Sequence, residues 1–175
     1  SNTRHNVGAW LVDRMTELES SQLKSHSQLL GKVATLNGYT TPVQLFIPDT
    51  YMNESGKAVL AIAHYYKIPP QQILIAHDEL DFPAGTTRLK AGGGHGGHNG
   101  LRDITTKLRS PDFYRLRIGI SHPGDKNRVS NYVLSKPNKD DQARICTAID
   151  ESISTMNYLV SGDFAQAFRL LHSEE

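Results

Sequence analysis

Four short stretches hold most of the residues that could do chemistry: Thr3-Arg-His-Asn6, Tyr51-Met-Asn53, His77-Asp-Glu-Leu-Asp81 and Ala91-Gly-Gly-Gly-His-Gly-Gly-His-Asn-Gly100. Three chemistries fit these types. The first is metal-free hydrolysis, in which a histidine draws a proton from water while a carboxylate fixes its tautomer and stabilises the imidazolium. His5 and Asp78 are of the right types for that pair, although type alone does not pair them: His5 could be a surface group and Asp78 could hold a loop. The second is a metal centre on His95 and His98, three residues apart, with His77, Asp78, Glu79 and Asp81 as further ligand types. No cysteine set or H-E-x-x-H helix accompanies it, and the spacing is not diagnostic. The third is a dinucleotide cradle, because residues 92–97 match G-x-G-x-x-G. That fold wants an acidic residue at the end of the next strand to hold the ribose, and this strand offers Arg115 and Arg117 instead.

Elements must bring these stretches together. Val7, Trp10, Leu11, Met15 and Leu18 recur at three- and four-residue steps, which predicts a helix over 6–19 with His5 at its entrance. Residues 31–36 and 42–47 alternate around Asn37-Gly38 and read as an antiparallel hairpin. A helix over 54–66 follows. Ile73, Leu74 and Ile75 form the centre of a short strand over 72–76, buried on both faces, so His77 to Asp81 lie just beyond its carboxyl edge, where open α/β sheets place their ligands. Residues 86–90 make a further strand with Arg88 and Lys90 on one face. After the glycine run come a helix over 100–108 and a strand over 113–120, the latter with Leu116 and Ile118 on one face and Arg115 and Arg117 on the other. Residues 122–126 read as a loop. Two helices, 140–160 and 163–171, finish the chain. Asn53 and Asn99 each precede a predicted helix, where asparagine is a favoured N-cap.

The glycine run, with six glycines in ten residues, implies left-handed backbone or a close neighbour. It lies within a basic segment: residues 86–117 carry seven Lys and Arg against Asp103 and Asp112, although the formal net charge of the whole chain is only +1. Such a bias is either a solvated basic face or a footprint for phosphates. The 175 residues suit one domain with a sizeable core. Cys146 is the single cysteine, expected as a small buried apolar group in a reducing cytosol. The longest apolar stretches fall far short of the roughly 18 residues of a membrane span, and no signal peptide is visible.

Taken together, Thr3 to Asn6, Tyr51-Met-Asn-x-Ser-Gly-Lys57, His77 to Asp81, Gly92 to Leu101 and Arg115-Leu-Arg-Ile-Gly-Ile-x-His-Pro-Gly-Asp-Lys126 closely resemble the bacterial peptidyl-tRNA hydrolase family. The resemblance covers the chain in order. It implies a single α/β domain over 1–175, a mixed twisted central sheet flanked by helices, apparently without the family's first strand and the asparagine that strand carries. It further implies a cytoplasmic, monomeric, cofactor-free and metal-free enzyme that hydrolyses the ester between peptide and tRNA. His5 would be the catalytic base and Asp78 its support. Asn53, Asn99, Met52 and Tyr51 would line the substrate, and Lys90 and Arg117 would hold tRNA phosphate. A noncatalytic RNA-binding protein on the same fold is the alternative.

Overall fold

The computed structural model describes residues 2–173. Its first helix, α1 (Val7–Leu18), follows a single 3-10 turn, Arg4–Asn6, so His5 does stand at the helix entrance. The hairpin forms as β2 (Gly31–Leu36) and β3 (Val43–Pro48) in antiparallel register, Ala34 opposite Leu45. A short strand that the pattern does not announce, β1 (Lys24–His26), adds to β2 and completes an antiparallel sheet. Then come α2 (Ser55–Tyr65), β4 (Leu74–Glu79), β5 (Thr87–Ala91), α3 (Asn99–Leu108) and β6 (Tyr114–Gly119). β4, β6 and β5 make a second sheet in that order, with β4 parallel and β5 antiparallel to β6. The fold is α/β with mixed pairing, its described strands divided between two three-stranded sheets flanked by helices.

β4 lies between two apolar layers, which explains its unbroken Ile73-Leu74-Ile75 run. On one side Val7, Leu11 and Met15 of α1 join Leu116 and Ile118; on the other Val59 of α2 and Leu101 and Ile104 of α3 join Phe113. The strand does not stop at Ala76. Its parallel partner carries it through His77, opposite Arg117, and Asp78, opposite Ile118, to Glu79. These groups therefore sit on regular backbone and not in a loop.

Near the carboxyl end the chain is more divided than expected. A one-turn helix, α4 (Val129–Val133), follows the loop at 122–126. The helix expected over 140–160 breaks into α5 (Lys139–Ile153) and α6 (Met156–Ser161), where the hydroxyls of Ser152, Ser154 and Thr155 bond back to carbonyls of the preceding turn and so compete with the helix ladder. The last helix is α7 (Phe164–Leu170), capped by Asp163. Cys146 is exposed, contrary to expectation: Ile145, Ala148, Ile149 and Ser152 form the inward stripe of α5, and residue 146 is turned off it.

The approach of α1 to β4 is close. A Cβ at Gly8 would lie 2.2 Å from the Ala76 carbonyl oxygen. Gly8→Ala should therefore push α1 off the strand and cost about 1–3 kcal/mol, as other overpacked interfaces do. A lowered urea midpoint is the expected observation.

Candidate active site

The Asp78 carboxylate, 5% exposed, is shared by two histidines from different parts of the chain. His5 Nδ1 lies 2.9 Å from Oδ2, and His98 Nε2 lies 2.8 Å from Oδ1. The His98 tautomer follows from its other nitrogen: Nδ1 accepts the Leu101 backbone N–H at 3.2 Å, so Nε2 carries the proton and donates to Asp78. With Asp78 receiving Nδ1–H of His5, the Nε2 of His5 is left as the basic atom. Burial by itself would raise the Asp78 carboxyl, but the hydrogen bonds from His5 and His98 outweigh it and hold the group well below the usual carboxylate range.

Each member is anchored from behind. The Arg4 backbone N–H donates to the Ser135 carbonyl at 3.1 Å, and its guanidinium lies 3.9 Å from the Tyr132 ring centroid and bonds the carbonyls of Tyr132 and Ser135. Tyr132 in turn donates its hydroxyl to the Ile120 carbonyl at 2.6 Å. Thus α4 holds the turn that presents His5, and Asn6 Nδ2 closes that turn on Thr3 Oγ1 at 2.8 Å. His77, on the opposite face of β4, is buried; its Nδ1 donates to the Asp78 carbonyl at 2.9 Å, and its ring meets that of His98 edge-on at 5.0 Å. Burial, then the neighbouring His98, pushes His77 down to about 4, so it is neutral near pH 7.

The asparagines are not helix caps. His98 caps α3 and Asn99 is its first residue, while Asn53 lies in the 3-10 turn Met52–Glu54 before α2. Both are exposed, and neither side-chain amide has a protein hydrogen bond among the described residues. Tyr51, two residues before Asn53, is 82% exposed. Gly92, Gly93, Gly96 and Gly97 take left-handed backbone. At Gly93 a Cβ would meet Lys90 Cε at 2.7 Å, the far end of a flexible side chain that can move aside, so the φ of 99° is what favours glycine there. Lys90 faces Arg115 across the β5–β6 ladder, and Arg115, 1% exposed, donates Nη2 to the Gly93 carbonyl at 2.7 Å. Arg117 gives Nε and Nη2 to Glu79 Oε1 at 2.8 and 2.6 Å.

His5, Asp78 and His98 also offer ligand-type atoms within 4.8 Å of one another. In the arrangement found, the two ring nitrogens facing Asp78 serve as N–H donors. The wider metal set does not assemble around His95, whose Nδ1 accepts the Gly97 N–H at 3.1 Å within its own loop. An open groove of about 580 Å³, lined by Lys24, His26, Thr35 and Tyr66 among others, shares no residue with the histidine–aspartate cluster.

The family model described as peptidyl-tRNA hydrolase matches residues 1–175. The chain belongs to the peptidyl-tRNA hydrolase family. A peptidyl-tRNA hydrolase of Coxiella burnetii is 54% identical over 99% of this chain and 90% of its own length, and one of Yersinia enterocolitica is 52% identical over 99% and 88%. The crystal structure of peptidyl-tRNA hydrolase from Acinetobacter baumannii superposes with a TM-score of 0.93 at 46% identity, covering 97% of this chain and 86% of that one. A peptidyl-tRNA hydrolase in complex with N-propanol superposes with a TM-score of 0.94, also at 46% identity and the same coverage.

For this member of the peptidyl-tRNA hydrolase family, sequence reasoning named His5 and Asp78 but did not foresee that His98 is a second donor to the same carboxylate. The only local signal was a histidine directly before a helix, a cap type that the reading assigned to Asn99. Arg4 and Tyr132 were missed because α4 was missed. Among the described residues, no helix is long and apolar enough to cross a membrane.

The His77 and Asp78 shifts predict acid sensitivity. Unfolded His77 protonates near 6.5 and folded His77 only at about 4, so the unfolded chain binds more protons between these values. Stability should fall as pH drops through that window, by up to ~3 kcal/mol. The depressed Asp78 carboxyl adds a further loss below the ordinary carboxylate range. Urea midpoints measured from pH 7 to 4 should show the slope, and His77→Asn, which keeps a donor for the Asp78 carbonyl but does not titrate, should flatten it.

Proposed function

We propose that this chain hydrolyses the ester joining a peptide to tRNA, with His5 as general base and Asp78 as the group that orients it. The observation that carries the reading is the shared carboxylate: Asp78 holds Nδ1–H of His5 and leaves Nε2 free to take a proton from water. The water attacks the ester carbonyl, Asp78 stabilises the imidazolium that results, and the same proton passes to the departing ribose oxygen. His98, held by the Leu101 N–H, occupies the second carboxylate oxygen and keeps Asp78 from turning away from His5.

The uncommitted amides of Asn53 and Asn99 are suited to the developing oxyanion and the attacking water, and one such donor is worth about 3–4 kcal/mol. Met52 and Tyr51 supply apolar and aromatic surface beside them. Lys90, and Arg117 through the Nη1 that Glu79 leaves unengaged, are suited to phosphate of the tRNA. A phosphate contact carries no sequence information, and its affinity falls with salt. On this proposal, residues 1–175 form one catalytic domain that acts in the cytoplasm as a monomer, without a metal.

His5→Ala should lose about 10²- to 10⁴-fold in kcat while still binding tRNA. The assay is release of tRNA from an N-blocked aminoacyl-tRNA, run with and without chelator. Chelator-insensitive release is expected; chelator-sensitive release would favour a metal at His5, Asp78 and His98, and binding without release would favour a noncatalytic RNA-binding role. In the same assay Asn99→Ala should chiefly lower kcat and Lys90→Ala should chiefly raise KM, the latter with a shallower salt dependence. The reverse split would reassign the two ends of the glycine loop.

A further inference from the structure

Asn53 and Asn99 stand on separate elements, yet a common ester needs their amides at one separation. The structure offers a tie between those elements that neither asparagine makes. Asp103, one turn into α3, accepts the backbone N–H of Gly56, the second residue of α2, on Oδ2 at 2.7 Å. That N–H belongs to the first turn of α2, where backbone donors have no partner within the helix, and the acid also lies at the positive end of the helix dipole. The contact is close: a Cβ at Gly56 would lie 2.4 Å from the Asp103 carbonyl oxygen. Nearer the asparagines, a Cβ at Gly100 would lie 2.9 Å from Met52 Sδ, and Ser55 Oγ donates to the Met52 carbonyl at 2.8 Å. The segment 52–56 and the start of α3 are thus in close contact, and among the described residues the bond from the Gly56 N–H to Asp103 is the directional, polar link between them.

We propose that Asp103 is a positioning residue, whose bond to the Gly56 N–H locks the Met52–Glu54 turn against α3 and so sets the spacing of the Asn53 and Asn99 amides. The inference rests on the assignment of those two asparagines to the substrate. Asp103→Asn keeps an oxygen acceptor for the Gly56 N–H, and Asp103→Ala removes it.

Turnover of N-blocked aminoacyl-tRNA should then separate positioning from general stability. D103A should lower kcat about tenfold or more with KM changed less than about twofold, as expected when reacting groups are misplaced but the remote binding contacts remain. D103N should recover kcat to within about threefold of wild type, and Asn53→Ala should add little to the loss in D103A, the non-additivity of coupled sites. A folded D103A with wild-type kcat, no recovery in D103N, or fully additive losses would each overturn the proposal. If D103A melts below the assay temperature, Asp103→Ser, too short to reach Gly56, takes its place in the same comparison. If Asn53→Ala and Asn99→Ala both keep wild-type kcat, the asparagine assignment fails by itself. The positioning role is then decided by the side-chain amide NMR signals of Asn53 and Asn99, which must shift in D103A and return in D103N; unshifted signals overturn it.

Discussion

A buried carboxylate with two histidine donors is the constraint around which this molecule is arranged. Taking the Asp78 charge out of water costs several kcal/mol, and that cost stands unless donors replace the lost hydration. Two charge-assisted hydrogen bonds, from His5 and His98, return about 3–6 kcal/mol between them. Neither donor is local. One arrives from the first turn of the chain and the other from the end of the glycine loop, so the ion survives only when α1, β4 and the start of α3 are all in place. The site is therefore a product of the completed fold.

The supporting parts follow from that demand. β4 is regular as far as Glu79 because β6 pairs with it that far, which gives Asp78 a rigid seat. Gly8 lets α1 come onto β4 at backbone distance, and Arg4, clamped by Tyr132 and Ser135, aims the turn that holds His5. His77 braces the arrangement from the other face of the strand, at the cost of being buried and neutral. The glycine loop has two functions. Its left-handed residues let the chain leave β5 and return with His98 facing Asp78, and its Gly93 carbonyl receives the buried Arg115 beside Lys90. The basic bias of this segment is consequently divided: Arg115 is structural, Arg117 is partly neutralised by Glu79, and Lys90 has no acidic partner among the described residues.

Much of this was legible in the residues. Alternation marked β2, β3 and β6, and helical spacing marked α1, α2 and α3, because each of these elements buries one continuous face and its periodicity is written along the chain. Where an element is short or its boundary rests on side chains bonding to their own backbone, the pattern fails. β1 has three residues, α4 has five, and the break between α5 and α6 is made by hydroxyls that a hydrophobic count does not weigh. The exposed Cys146 is a similar case, since composition favours burial and only the helical phase of α5 turns it outward.

By itself the sequence determined the α/β class, the family, and the residue types available for catalysis: His5, Asp78, Asn53 and Asn99 stand in motifs recognisable by their order. The pairing of His5 with Asp78 came only through the family resemblance and not from the residues themselves. His5 and Asp78 are 73 residues apart, and nothing in either neighbourhood specifies that a carboxylate oxygen will face a ring nitrogen at 2.9 Å. Nor could it show that His98 takes the second oxygen, that Arg115 is buried while Arg117 is held by Glu79, or that Asp103 ties two helix starts together. Those facts depend on directions and distances across packed elements. Hydrogen bonds act over about 3 Å and within a narrow angle, so only the tertiary structure decides which candidates meet.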